Sequence, residues 1–274
     1  MEKLVSVVIP NFNYGRFLQS TIDSVLSQTY DNLEVIVVDN GSTDNSRSVL
    51  ESYGERIRTI FQNNQGQAAA RNNGLEIARG DLIALLDADD YWESSKIEQQ
   101  LSLISNRTEL VYTGARQFRS ESGATVKTVL PSFNGDCSLA FLKYPSRSIV
   151  PAGESSALFT RSLLEKVGNF NTHLNSACGR DFFRRCSRHA EFSFVNEALI
   201  NYRLHDSNMS TNYRLMMNDT AKAYKLLFAD TEWEFADSYK KACLSKLYWS
   251  FLKTSLREKD PVGALQDFKN LVTI

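Results

Sequence analysis

Long apolar runs are missing from this 274-residue chain. None approaches the ~20 residues that a membrane-spanning helix needs. The first residues carry no signal-peptide pattern, so the expected location is the cytoplasm. An excess of one charge is missing too. The formal net charge is -1, which leaves no electrostatic footprint for nucleic acid. Cysteine is sparse: Cys137, Cys178, Cys186 and Cys243 lie far apart, with no Cys-x-x-Cys pair. They read as free thiols in a reducing compartment, not as a disulfide frame or a zinc site. No Gly-x-Gly-x-x-Gly follows the first apolar run, where Asn11-Phe12-Asn13-Tyr14-Gly15 stands instead. That disfavours a dinucleotide oxidoreductase. The same lack of a Gly-rich phosphate loop disfavours a nucleotidyltransferase that makes nucleotide sugars. Internal repeats and low-complexity linkers are absent as well.

What remains is ordinary globular composition, 42% hydrophobic and 23% charged, enough for a full-sized core. The first part alternates between strand and helix patterns. Leu4 to Ile9, Leu33 to Val38, Arg58 to Phe61 and Leu82 to Leu86 read as strands. Phe17 to Leu26, Asp44 to Tyr53 and Gln67 to Ala78 read as helices between them, with Asp44 as a cap. This order predicts an α/β fold with a mostly parallel central sheet and helices on both faces. Beyond Trp92 the pattern is less regular. Lys96 to Ile104 and Asp181 to Ser187 read as helices. Leu110 to Phe118, Thr125 to Leu130, Ser155 to Phe159 and Ala198 to Leu204 read as strands. From Tyr213 onward the chain reads as a helical appendage. The expected partition is 1–92, 93–212 and 213–274. The appendage carries an apolar stripe of Tyr224, Leu227, Phe228, Trp233, Tyr239, Leu244, Leu247, Phe251 and Leu252 with lysines among it. A stripe of this kind is buried against its own domain or a second subunit, or lies on an anionic membrane.

The strongest chemical signal is Asp87-Ala88-Asp89-Asp90, directly after a buried strand. Ligands bind at the C-terminal ends of strands in open α/β sheets. Packed carboxylates need neutralising, and a hard divalent cation suits oxygen ligands. Other polar groups fall at the same edge. The first strand ends in Pro10-Asn11-Phe12-Asn13, and the second in Asp39-Asn40-Gly41-Ser42-Thr43-Asp44. The third is followed by Gly66 to Gly74, which contains Arg71. Asp39 suits a base N–H group, and the planar fork of Arg71 suits a phosphate or another acceptor oxygen.

These four segments, in this order and spacing, resemble the inverting nucleotide-sugar glycosyltransferases of family 2, which have the GT-A fold. The resemblance runs from Val5 to about Ser210. It implies that Asp39 binds the nucleotide base and that Arg71, Pro10 and Phe12 belong to the substrate site. Asp87 would lie near the ribose or metal, and Asp89 would hold Mn²⁺ or Mg²⁺ on the diphosphate. Asn40 replaces a family aspartate. The family's acceptor-side Glu-Asp matches Arg180-Asp181, which makes Asp181 the expected general base. Arg180 stands in the glutamate's place and is expected at the substrate. The alternative for Asp181 is a helix-terminus pair with Arg184 or Arg185. Tyr202-Arg203-Leu204-His205 resembles the C-terminal motif whose histidine completes the metal site. The implied donor is a nucleoside-diphosphate sugar, a UDP-sugar first of all. The implied acceptor is a glycan or a lipid-linked hydroxyl, which keeps peripheral contact with the inner membrane face open. A non-catalytic nucleotide-sugar-binding relative is the rival reading, and the oligomeric state is left open.

Overall fold

Runs of apolar residues alternate between the two faces of one sheet and bury both. The computed structural model describes residues 2–230 and 236–274, so Trp233 lies outside the described residues. The first half runs β1 (Val5–Asn11), α1 (Gly15–Leu26), β2 (Leu33–Asp39), α2 (Ser46–Tyr53), β3 (Arg58–Phe61), α3 (Gln67–Ile77) and β4 (Leu82–Leu85). Val8, Ile36, Val38, Ile83 and Leu85 join one core. Val7, Ile9, Val35, Val37, Leu82 and Ala84 join the other. This is the period-two signature of strands covered on both sides. The strand pairs β1–β2, β1–β4 and β2–β3 are parallel, as expected of β-α-β units.

The chain continues through β5 (Tyr91–Trp92), α4 (Lys96–Leu101), β6 (Thr108–Arg119), β7 (Thr125–Val129), α5 (Ser138–Lys143), β8 (Leu158–Thr160), α6 (Arg161–Val167), α7 (Cys178–Cys186) and β9 (Glu191–Leu204). It closes with α8 (Tyr213–Ala229), α9 (Ala236–Arg257) and α10 (Pro261–Val272). Among the described residues the sheet has nine strands in the order β3-β2-β1-β4-β8-β6-β9-β5, with β7 beside β6. It is parallel through its first half only. β8 runs antiparallel to β4 and β6, β7 to β6, and β5 to β9, while β6 and β9 are parallel.

Several boundaries differ from the sequence expectation. The strand expected from Ser155 begins at Leu158, and Gly153–Ser156 forms a 3-10 turn instead. The helix expected from Asp181 begins three residues earlier, at Cys178. The strand expected from Ala198 starts at Glu191. Asp44 does more than cap one helix. Its Oδ1 accepts from Ser46 N at 2.9 Å and its Oδ2 from Gly15 N at 2.9 Å, tying the starts of α2 and α1 together.

The stripe on the appendage is largely buried within the protein. Tyr224, Leu227, Leu247 and Phe251 pack with Leu142 of α5 and Met217 of α8. Trp249, Leu256, Leu265 and Phe268 are left exposed. Among the described residues no helix is long and apolar enough to cross a membrane.

Close helix–sheet packing requires glycine at one point. A β-carbon on Gly74 of α3 would overlap Val8 Cγ1 and meet Val38 Cγ2 at 3.2 Å. Overpacking of this kind costs about 1–3 kcal/mol. Gly74→Ala is therefore expected to lower the urea midpoint, while Glu76→Ala on the exposed face of the same helix leaves it nearly unchanged. Equal midpoints for the two variants would contradict this packing.

Candidate active site

The parallel strands end together, and their C-terminal loops open on a cleft of about 680 Å³. Pro10, Phe12, Asn40, Arg71, Asp87, Asp89 and Arg180 all line it. β1 and β2 are in register at Asn11 and Asp39. Asn11 Nδ2 donates to Asp39 Oδ1 at 3.3 Å and to Ser42 Oγ at 3.1 Å. Ser42 N also donates to Asp39 Oδ1, at 3.2 Å, and its hydroxyl donates to the same oxygen. Asp39 is thus fixed through one oxygen at the base of the cleft. It is buried, one layer behind the lining residues.

Asn40 spends its amide on the neighbouring loop. Its Oδ1 accepts from Gln62 Nε2 at 2.8 Å and Gln65 N at 3.0 Å, while its Nδ2 donates to Asn64 Oδ1 at 3.1 Å. A carboxylate lacks the donor for the last bond. Gly41 next to it has φ of 83° and lies against Asn64, a close approach in a left-handed conformation that favours glycine.

Arg71 sits at the junction of the two halves. Its side chain is 2% exposed. Its Nη2 donates to Asp87 Oδ1 at 2.8 Å, and its Nη1 pairs with Glu154 and approaches Cys178 Sγ at 3.1 Å. Burial pushes the Cys178 thiol up to about 12, so this cysteine is an inert neutral wall. The neighbouring carboxylates raise the Arg71 pKa against the effect of burial, and the guanidinium is locked in its charged form.

The Asp cluster divides into two roles. Asp90 is fully buried and faces inward. Its Oδ1 accepts from Arg203 N at 3.1 Å and its Oδ2 from Ser155 Oγ at 3.0 Å, tying β4 to β9 and to the 153–156 turn. Asp87 and Asp89 face the cleft. Burial, together with Glu154 and Asp89, pushes Asp87 up to about 6 despite Arg71. Burial, then Asp89 and Asp87, raises Asp90 well above the usual carboxylate range. Burial thus acts first on both carboxylates, and their acidic neighbours add to it.

His205 comes to this cluster from the far end of the sequence. Its Nε2 lies 3.1 Å from Asp89 Oδ2, which also accepts from Asn208 Nδ2 at 3.1 Å. Ser207 Oγ lies 2.9 Å from His205 Nδ1. The imidazole is 5% exposed and packs on Phe17 with ring centroids 4.7 Å apart. It stands behind Asp89 rather than in the cleft wall. Among the described residues no group of three His, Cys, Asp or Glu side chains forms a metal cage. The donor set nevertheless fits a hard cation held jointly with a phosphate ligand, which needs only one or two protein carboxylates. Asp89 supplies one, and Asp87 lies beside it in the cleft.

Asp181 is not brought to the cleft. Its side chain is 3% exposed. Arg184 Nη2 donates to its Oδ1 at 3.0 Å, and Arg185 Nε to its Oδ2 at 3.0 Å. The early start of α7 explains this, because Asp181 lies almost a turn inside the helix and meets its i+3 and i+4 neighbours. Arg180 does face the cleft, donating from Nη1 to Pro145 O at 3.1 Å and Arg147 O at 3.2 Å.

Sequence reasoning missed Glu154, which lines the cleft, and Asn208, which holds Asp89. It also missed the part played by α8. Met216 and Thr220 line the cleft, and Asp219 Oδ2 accepts from Asn175 N at 2.7 Å and Ala177 N at 2.8 Å.

Comparison with known proteins agrees with this arrangement. The profile described as "Glycosyl transferase family 2" matches residues 6–168. An uncharacterised glycosyltransferase of Rickettsia typhi, RT0329, is 30% identical over 220 residues, covering 74% of this chain and 65% of that protein. TuaG of Bacillus subtilis, whose name ascribes it to teichuronic acid biosynthesis, is 41% identical over 111 residues, or 39% of this chain and 44% of that one. The chain spans roughly a third to two thirds of the length of the curated relatives it matches. The crystal structure of S. aureus TarS 1–349 with UDP-GlcNAc superposes with a TM-score of 0.62 at 15% identity, covering 98% of this chain and 92% of that one. The mannosyltransferase PcManGT of Pyrobaculum calidifontis, with GDP-Man and Mn²⁺, gives 0.63 at 17% identity, covering 100% and 75%. The fold is of GT-A type, and the chain belongs to glycosyl transferase family 2.

Proposed function

We propose that the cleft transfers a sugar from a nucleoside-diphosphate sugar, a UDP-sugar first of all, to a hydroxyl of a glycan or lipid-linked acceptor in cell-envelope polysaccharide synthesis. One observation carries this reading: Asp87 and Asp89 meet at the strand ends in the same cleft as Arg180, with His205 and Asn208 fixing Asp89 from behind. Family membership and the name of TuaG support the substrate class.

Asp39 has its second carboxylate oxygen for a base N–H group, and the backbone at Gly41 allows close approach. Asp89, with Asp87 beside it and His205 behind, would hold Mn²⁺ or Mg²⁺. The cation supplies neutralisation of charge on the departing diphosphate. The Ser207 hydroxyl can accept from His205 Nδ1–H, which would let Nε2 exchange its contact with Asp89 Oδ2 for the cation. The acceptor oxygen attacks the anomeric carbon as the bond to the diphosphate breaks. This single displacement turns an α-linked donor into a β-linked product.

Calorimetric titration with UDP tests the donor side. Binding is expected with Mn²⁺ and is expected to weaken strongly in EDTA. A hydrogen bond to a charged group is worth about 1.5–3 kcal/mol, so Asp39→Ala should weaken UDP binding about 10- to 150-fold. Unchanged affinity in that variant would remove Asp39 from the base site.

A further inference from the structure

We infer that Glu154, rather than Asp181, takes the proton from the attacking hydroxyl; this rests on the transferase reading above. The carboxylates lining the cleft among the described residues are Asp87, Asp89 and Glu154. Asp87 and Asp89 form the donor-side pair at the end of β4. Glu154 comes from a different element, the 153–156 turn, with Arg71 between it and Asp87, and Arg180, Ser176 and Ala177 line the same cleft. Asp181 has each carboxylate oxygen engaged by an arginine.

The local packing places Glu154 where a carboxylate from α7 would otherwise project. Its side chain lies over Gly179, in the first turn of the nine-residue helix α7. A β-carbon at Gly179 would overlap the Glu154 carboxylate itself. The glycine thus leaves room for an acid delivered from a different element. Arg71 holds Glu154 by Oε1 alone. Oε2 has no hydrogen-bond partner among the described residues, and the side chain is 13% exposed. A carboxylate that lines the cleft and is held by one oxygen keeps the second oxygen to accept a proton, as a general base needs. In the transfer, the acceptor O–H proton passes to Oε2 as the new C–O bond forms. The electron pair of the broken C–O bond leaves on the diphosphate.

The alternative is that Glu154 only neutralises Arg71. Nucleotide release from UDP-glucose, UDP-galactose, UDP-N-acetylglucosamine and GDP-mannose separates the two, with Mn²⁺ present and water as acceptor. Calorimetric binding of UDP or GDP is followed in parallel. Glu154→Gln is expected to lower kcat by about 10²–10⁴-fold, the usual contribution of a general base, with KM and nucleotide affinity within about threefold. Gly179→Ala keeps the charge of Glu154 and favours the helix by about 1 kcal/mol, yet displaces the carboxylate. It should lower kcat at least about tenfold in its folded fraction, whatever stability the displaced Arg71 contact costs. Asp181→Asn, in its folded fraction, should stay within about threefold in kcat.

If Glu154→Gln fails to fold, Gly179→Ala decides alone, and a kcat within about threefold of wild type then overturns the assignment. A folded Glu154→Gln enzyme of normal kcat overturns it as well. So does a kcat loss confined to Asp181→Asn. A wild-type protein that binds nucleotide but turns over none of the four donors overturns the transferase reading itself, and this assignment with it.

Discussion

Arg71→Met is expected to destabilise the protein by about 3–5 kcal/mol, the penalty for removing one partner of a buried ion pair. That is a large part of the 5–15 kcal/mol that holds a typical domain folded. The guanidinium is 2% exposed, and Asp87 and Glu154, at 27% and 13%, meet on it from opposite halves of the fold. Without it the two carboxylates face each other, with Asp89 close by, and little water to screen them. Lysine would not repair the site. It offers one compact charge where the arginine fork reaches two carboxylates and the Cys178 sulfur. Adding Glu154→Gln to Arg71→Met should recover part of the loss, because the pair shares one network. Urea denaturation gives the values, and a loss below about 1 kcal/mol for Arg71→Met would mean that this junction does not hold the halves together.

Asp89→Asn should have the larger effect on function and little on folding. Asparagine keeps the shape and still offers an oxygen to Asn208. It also removes one of three crowded carboxylates, which relieves Asp87 and Asp90. Stability is therefore expected to hold or to rise slightly. The charge that holds the cation is lost, and a catalytic metal contributes several kcal/mol. Turnover should fall about 10²–10⁴-fold, at 1.36 kcal/mol per tenfold. The Mn²⁺-dependent part of the UDP-induced rise in melting temperature should disappear, since that rise reports binding to the native state. A folded Asp89→Asn protein that keeps its full Mn²⁺ response would move the cation away from Asp89.

The parallel half of the fold is legible in the sequence because its strands are short apolar runs separated by amphipathic helices. The ends of those strands necessarily share one edge, and this alone groups Asp39, Arg71, Asp87 and Asp89. The second half is harder to read because its sheet is mixed and its contacts are distant in sequence. His205 reaches Asp89 because β9 runs between β6 and β5, an arrangement that no local pattern encodes. Ser155 to Phe159 reads as a strand, but Ser155 Oγ donates to Asp90 Oδ2 and accepts from Asp87 N, which holds residues 153–156 in a turn. The strand pattern thereby conceals Glu154. The placement of Asp181 turns on where α7 begins, and helix starts are the least legible boundary when, as here, no side chain caps the first turn.

Proton NMR on wild-type protein with Mn²⁺ and the four α-linked donors tests sugar transfer most directly. The expected result is release of the nucleoside diphosphate from one donor, with the β-anomer of the sugar as the first product before mutarotation. First appearance of the α-anomer, or no release from any donor at millimolar protein over a day, would contradict the account.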